Sequence, residues 1–106
     1  HKTGYTIFTL ARVANRWLPF DCYIIKYPSG SYIPPHFDKT KRRHFRVNFV
    51  LTHPEGGEFV CDNPIFTSKW INFFRPDISQ HSVTEVKNGT RYVFSIGWLY
   101  GNDAPR

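Results

Sequence analysis

His81-Ser82-Val83-Thr84-Glu85-Val86-Lys87-Asn88-Gly89-Thr90-Arg91-Tyr92-Val93-Phe94-Ser95-Ile96-Gly97-Trp98-Leu99 decides how the chain is read. Two runs, 81–86 and 91–99, are rich in β-branched and aromatic residues, and Asn88-Gly89 separates them as a turn signal. Both runs therefore read as strands. A three-residue loop, Lys87-Asn88-Gly89, would give Gly89 the left-handed position of a bulged hairpin. It would pair Glu85 with Arg91, Val83 with Val93 and His81 with Ser95, so that His81, Arg91 and Ser95 share an inward face. A two-residue loop would send Arg91 to the face opposite His81.

The same punctuation extends outward. Pro28-Ser29-Gly30, Pro34-Pro35, Pro54-Glu55-Gly56-Gly57, Asp62-Asn63-Pro64 and Arg75-Pro76-Asp77 are turn signals at short intervals. Between them the expected strands are 5–10, 22–27, 33–38, 45–51, 58–61, 70–74, 81–86 and 91–99. Residues 11–18 read as one or two helical turns, with Ala14, Trp17 and Leu18 on one face. About eight strands with at most a short N-terminal helix predict an all-β double-stranded β-helix, or jelly roll.

Bulk properties agree. At 106 residues the expectation is one domain spanning 1–106. A hydrophobic share of 41% excludes a disordered chain, and 18% aromatic residues favour a β-rich core. Methionine is absent, and the chain reads as a processed, trimmed or naturally minimal domain. The net charge of +6 is compatible with nucleic acid, an acidic surface or an acidic substrate. Cys22 and Cys61 fit neither a metal spacing nor a disulfide framework. They read as small buried hydrophobes of a reducing, cytoplasmic compartment. No stretch approaches a membrane span and no secretory signal is present, so no membrane partner is expected.

The chemistry-bearing residues are His36, Asp38, His81 and Arg91. Residues i and i+2 of a strand project to one side, so His36 and Asp38 can bind one metal while Phe37 faces away. With His81 they form a 2-His-1-carboxylate set, which suits non-haem Fe(II) and leaves coordination positions open. Arg91 offers a fork for a carboxylate co-substrate. Zinc is the competing metal, but a structural zinc wants four protein ligands, and Arg91 is better explained by an organic acid.

The chain resembles the Fe(II)/2-oxoglutarate-dependent dioxygenases, most closely their prolyl 4-hydroxylase-like branch. The resemblance runs from about Tyr23 to Trp98. It is carried by Tyr27-Pro28-Ser29-Gly30-Ser31-Tyr32 before His36-Phe37-Asp38, by Arg46-Val47-Asn48-Phe49-Val50-Leu51, by Gly56-Gly57-Glu58-Phe59, and by His81-Ser82-Val83-Thr84-Glu85-Val86 with Gly89-Thr90-Arg91 and Gly97-Trp98. It implies that His36, Asp38 and His81 bind Fe(II) and that Arg91 holds the distal carboxylate of 2-oxoglutarate. Tyr27, Ser95 and Asn48 would line the co-substrate pocket. O2 would be the oxidant and ascorbate a supporting reductant, with succinate and CO2 released on hydroxylation of a C–H bond. The branch usually carries helices before the barrel, whereas about 20 residues precede the first matching strand here, and many members have Lys where Arg91 stands.

Lys39-Thr40-Lys41-Arg42-Arg43-His44 follows the first two ligands. Lys41, Arg42 and Arg43 could grip an acidic peptide or a phosphate backbone, although such runs are more often solvated loops. The leading substrate is a protein or peptide residue, proline by resemblance. Nucleic-acid base oxidation or demethylation, hydroxylation of a free amino acid or small molecule, and a silent binding module are the alternatives. The residues leave the oligomeric state open.

Overall fold

Alternating Val, Ile, Tyr and Phe build eleven strands in the computed structural model, which describes residues 4–13, 19–37 and 43–100. In chain order they are β1 (Thr6–Val13), β2 (Phe20–Tyr27), β3 (Ile33–His36), β4 (Arg43–Val50), β5 (Glu55–Gly56), β6 (Phe59–Cys61), β7 (Phe66–Thr67), β8 (Ile71–Phe74), β9 (His81–Val83), β10 (Val86–Asn88) and β11 (Arg91–Tyr100). Among the described residues there is no helix. The long strands form a six-stranded antiparallel sheet ordered β1-β2-β11-β4-β8-β7. The short ones form a three-stranded sheet β3-β9-β6 and a two-stranded ribbon β10-β5. Ile25, Tyr27 and Val93 of the large sheet pack on Val83 of β9 and Val86 of β10. This contact between layers is the centre of the jelly roll.

The large sheet has two chemically different faces. Inward, β11 directs Arg91, Val93, Ser95 and Gly97, all buried, while β4 contributes Arg46 and β8 contributes Asn72. Outward, cross-strand partners line up in rows. One row is Phe8, Ile24, Phe94, Phe49 and Ile71. The next is Ala11, Cys22, Ile96, Val47, Phe73 and Phe66. A third is Val13, Phe20, Trp98 and Phe45.

Several expectations are corrected. Residues 11–13 continue strand β1 past a bulge between Thr9 and Ala11, pairing with Cys22, Asp21 and Phe20. Pairing along the sheet edge outweighs the weak local helix preference, and residues 14–18 lie outside the described ones. The expected hairpin of 81–86 with 91–99 does not form. Strand β9 pairs with β3 and β6, Val86 belongs to β10, and β11 lies between β2 and β4. The chain crosses from one sheet to the other between His81 and Arg91. His81, Arg91 and Ser95 are nevertheless all buried, because the two sheets face a common interior. Gly89 does take a positive φ of 99°. Cys22 and Cys61 are unbridged and half-buried rather than buried.

Gly57 closes the connection under the β10-β5 ribbon. Its φ is 66°, and its N–H donates to Glu85 O at 3.0 Å. A Cβ there would lie 2.7 Å from Val86 Cγ2 and 3.1 Å from Arg91 Cδ. Gly57→Ala should therefore destabilise the fold by about 2–4 kcal/mol, combining left-handed strain with overpacking. Urea denaturation checks this; an unchanged midpoint would remove the proposed packing of Val86 and Arg91 on this glycine.

Candidate metal and anion site

Strands β3 and β9 set His36 directly opposite His81. Opposed residues of an antiparallel pair project to the same side, and the two ring centroids are 4.2 Å apart with planes inclined at 54°. Each imidazole is held by a backbone carbonyl two residues upstream: His36 Nδ1 donates to Pro34 O at 2.8 Å and His81 Nδ1 to Ser79 O at 2.9 Å. A carbonyl only accepts, so in each ring the hydrogen of this bond sits on Nδ1. Nε2 is then the atom a divalent metal would take, with the carbonyls orienting the rings. His81 is buried against Phe74, whose centroid is 5.1 Å away, and against Phe59 at 6.4 Å.

Asp38, Lys41 and Arg42 lie outside the described residues. Among those that are described, no three His, Cys, Asp or Glu side chains come together as a metal-holding group. Cys61 is the other cross-strand partner of His81. Its thiol pKa is pushed up by burial and by the Asp62 carboxylate, which favours the protonated form rather than the thiolate a metal requires.

The histidines open on a cavity of about 260 Å³ whose wall includes Tyr27, Arg46, Asn48 and Ser95. Its polar groups satisfy one another. Ser95 Oγ donates to Asn48 Oδ1 at 2.6 Å and accepts from Arg46 Nη1 at 2.6 Å. Arg46 Nη2 donates to Asp21 Oδ1 at 2.6 Å, and its guanidinium lies 4.8 Å over the Tyr23 ring. Register explains the reach: Asp21 and Arg46 are both cross-strand partners of Gly97. The guanidinium crosses the space that a side chain at 97 would fill. The sequence reading does not single out Arg46 or Asp21. The available signal was parity, since Arg46 shares the inward face of Asn48 and Asp21 that of Tyr23, Ile25 and Tyr27.

Arg91 is only 5% exposed. Its guanidinium stands 5.2 Å over the Tyr27 ring, its cross-strand partner. Among the described residues it forms no ion pair with a carboxylate. Burial lowers its pKa, with Tyr27 opposing that shift, and burial raises the Tyr27 phenol despite the nearby guanidinium. Arg91 lines a second cavity, of about 480 Å³, together with Asn72 and Lys69. Phe59 belongs to the walls of both cavities. His36, His81, Tyr27, Ser95 and Asn48 are thus brought to one cavity and Arg91 to its neighbour. Arg43 is exposed at the start of β4.

No protein-family model matches the chain, and neither does any curated protein. Similar solved structures exist. The Schizosaccharomyces pombe Cnp3 cupin domain superposes with a TM-score of 0.67 at 11% identity, covering 92% of this chain and 66% of that one. The viral collagen prolyl hydroxylase of Paramecium bursaria Chlorella virus-1, solved with 2-oxoglutarate, gives 0.62 at 18% identity, covering 95% and 81%. A Pseudomonas putida prolyl-4-hydroxylase gives 0.59 at 20% identity, covering 78% and 49%. The chain therefore spans about two thirds of the first protein and half of the third. At these identities the likeness establishes the fold, a cupin-type jelly roll.

The crossing of Gly97 by Arg46 has a measurable consequence. Gly97→Ala should expel the guanidinium from Ser95 and Asp21 and destabilise the fold by about 2–3 kcal/mol, short of a fully buried pair because Asp21 is partly solvated. In an Arg46→Leu background the same substitution should lose most of that effect. Equal penalties in the two backgrounds would show that Arg46 is not the group displaced.

Proposed function

We propose that this chain is an Fe(II)- and 2-oxoglutarate-dependent dioxygenase that hydroxylates a C–H bond in a protein or peptide residue. The observation that carries this reading is the cross-strand pair His36–His81, with both Nδ1 atoms held by backbone carbonyls. Asp38, two residues after His36, supplies the carboxylate of the ligand set. Two neutral imidazoles and one carboxylate fit Fe(II) and leave three positions for a bidentate co-substrate and O2. When bound, the iron and 2-oxoglutarate supply oxidative decarboxylation, releasing succinate and CO2 and placing one oxygen atom on the substrate carbon.

The remaining roles belong to this chain's own side chains. Arg91 holds the distal carboxylate of 2-oxoglutarate, and its lack of a carboxylate among the described residues supports that role. Tyr27 supports the guanidinium from below as a neutral phenol. Phe59 and Phe74 keep water from His81. Ser95 and Asn48 shape the cavity wall and would reach the co-substrate by exchanging their mutual hydrogen bond. Lys41 and Arg42, between the first ligands and β4 in the sequence, and Arg43, the first residue of β4, attract an acidic peptide. Proline as the target residue is supported by the likeness to two prolyl hydroxylases. Ascorbate would serve as supporting reductant.

An anaerobic titration with Fe(II) and 2-oxoglutarate, followed by the visible charge-transfer band, tests the site. The parent should develop the band and Asp38→Ala should not. Arg91→Ala should require roughly 30-fold more 2-oxoglutarate, the loss expected when a carboxylate loses a charged partner, about 2 kcal/mol. A folded, metal-loaded parent without the band would overturn the reading. Replacing Lys41, Arg42 and Arg43 together by Ala should leave the band and its midpoints unchanged while weakening the binding of acidic, proline-containing peptides. Unchanged peptide affinity would remove the loop from substrate recognition.

A further inference from the structure

Ser95, Asn48, Asn72 and Thr67 stand in one cross-strand row over β11, β4, β8 and β7. Opposed residues of an antiparallel pair project to the same side, so the row faces inward with Ser95, which is fully buried. The two hydroxyls at its ends give their hydrogens to the two amides in its middle. Ser95 Oγ, itself accepting from Arg46, donates to Asn48 Oδ1 at 2.6 Å. Thr67 Oγ1 donates to Asn72 Oδ1 at 2.6 Å. Each amide oxygen is thus engaged, and each amide nitrogen keeps both of its N–H donors. No described residue accepts from either nitrogen, and neither is sealed inside the protein. Asn48 lines the histidine cavity, and Asn72, only 3% exposed, lines the Arg91 cavity.

We infer that Asn48 and Asn72 together form a donor-only subsite for one carboxylate of a short dicarboxylic acid whose other carboxylate is taken by Arg91. The subsite rests on Arg91 as the carboxylate holder of the proposed function, and it adds Asn72 and Thr67 to the residues that serve it. A buried N–H without an acceptor costs free energy, so an acceptor arriving at this pair is favoured. A carboxylate suits it best, because its two oxygens accept from two neighbouring amides at once. A ligand presenting an amine or amide N–H there would meet donor with donor. Asn48 offers its hydrogens before any exchange of its bond with Ser95. Thr67 and Ser95 act as positioning residues, since their hydroxyls hold the amide oxygens and so turn the nitrogens to the ligand. The pair lies four residues along β11 and one or two strands across from Arg91. Strand rise and spacing make that about 15 Å between Cα atoms, a separation that the long Arg91 side chain and a short diacid bridge together. Glu58, also on the wall of the Arg91 cavity, is exposed.

Glutarate and pentanoate, a diacid and a monoacid of equal length, test the subsite on the full chain with no metal added, followed by nitrogen–proton correlation spectra. The parent should bind glutarate at least about tenfold more tightly than pentanoate. Glutarate should also shift the side-chain amide signals of Asn48 and Asn72, each identified by its loss on substitution. Asn72→Leu should remove most of the preference while pentanoate binds as before. Thr67→Val, which frees the Asn72 amide to turn, should reduce the preference in part. Should Asn72→Leu fail to fold, Asn48→Leu replaces it. A parent that binds the two acids alike overturns the subsite, as does a folded Asn72→Leu that keeps the preference, or amide signals that ignore glutarate. Arg91→Ala separates the two claims: if it weakens both acids although the parent shows no preference, Arg91 keeps its role and the amide pair alone is lost. A parent that binds neither acid also overturns the subsite, and the charge-transfer band then decides the iron reading by itself.

Discussion

Strand β11 is the constraint on which the molecule turns. It is hydrogen-bonded to β2 on one side and β4 on the other along most of its length, so its register fixes that of the whole large sheet. Alternation then sorts its side chains: Arg91, Val93, Ser95 and Gly97 go inward, Tyr92, Phe94, Ile96 and Trp98 outward. A slip of one residue would expel the arginine and serine from the interior and drive the aromatics into the cavities. The polar interior is stable because its members satisfy one another. Asp21, Arg46, Ser95 and Asn48 form an unbroken chain of hydrogen bonds, and one missing side chain, at Gly97, gives that chain its path.

The two layers divide the work. The small sheet contributes the imidazoles, and it does so with very little structure: β3 has four residues and β9 three. Rigidity comes from elsewhere, from carbonyls that hold each Nδ1 and from Phe74 and Phe59, which pack on His81. The large sheet contributes cations and hydroxyls. Phe59 stands between, walling both cavities. It is a wall that the histidine cavity and the Arg91 cavity share.

Period-two alternation made much of this legible in the sequence. The strands and the jelly roll followed from it, whereas the expected inward placement of His81, Arg91 and Ser95 rests on a hairpin register that does not form, and the three are buried because the two sheets face a common interior. The partners of β9 did not. Local signals around Asn88-Gly89 describe a hairpin, but crossing between sheets is decided by long-range pairing with residues 33–36 and 59–61, and no turn residue encodes that. Residues 11–13 depart from their local helix preference for a similar reason, because an edge strand is held by its neighbour rather than by its own composition. Arg46 and Asp21 are not legible in the sequence because a charged residue on a strand is ordinarily solvated. Only the register that places both opposite Gly97 reveals the pair.

Two buried arginines with different surroundings make the clearest distinction within the interior. Both have lost water, and a desolvated guanidinium carries a penalty of several kcal/mol unless a counter-charge offsets it. Arg46 has its counter-charge built in, through Asp21, and its remaining donors engage Ser95. Arg91 has a tyrosine ring, which contributes about 0.5–2 kcal/mol as a cation–π partner and carries no negative charge, since burial holds Tyr27 protonated. Among the described residues one arginine is thus neutralised by a carboxylate and the other is not. Arg46 belongs to the architecture of the wall. An anionic ligand at Arg91 would gain binding energy there and, by mass action, add stability to the domain as well.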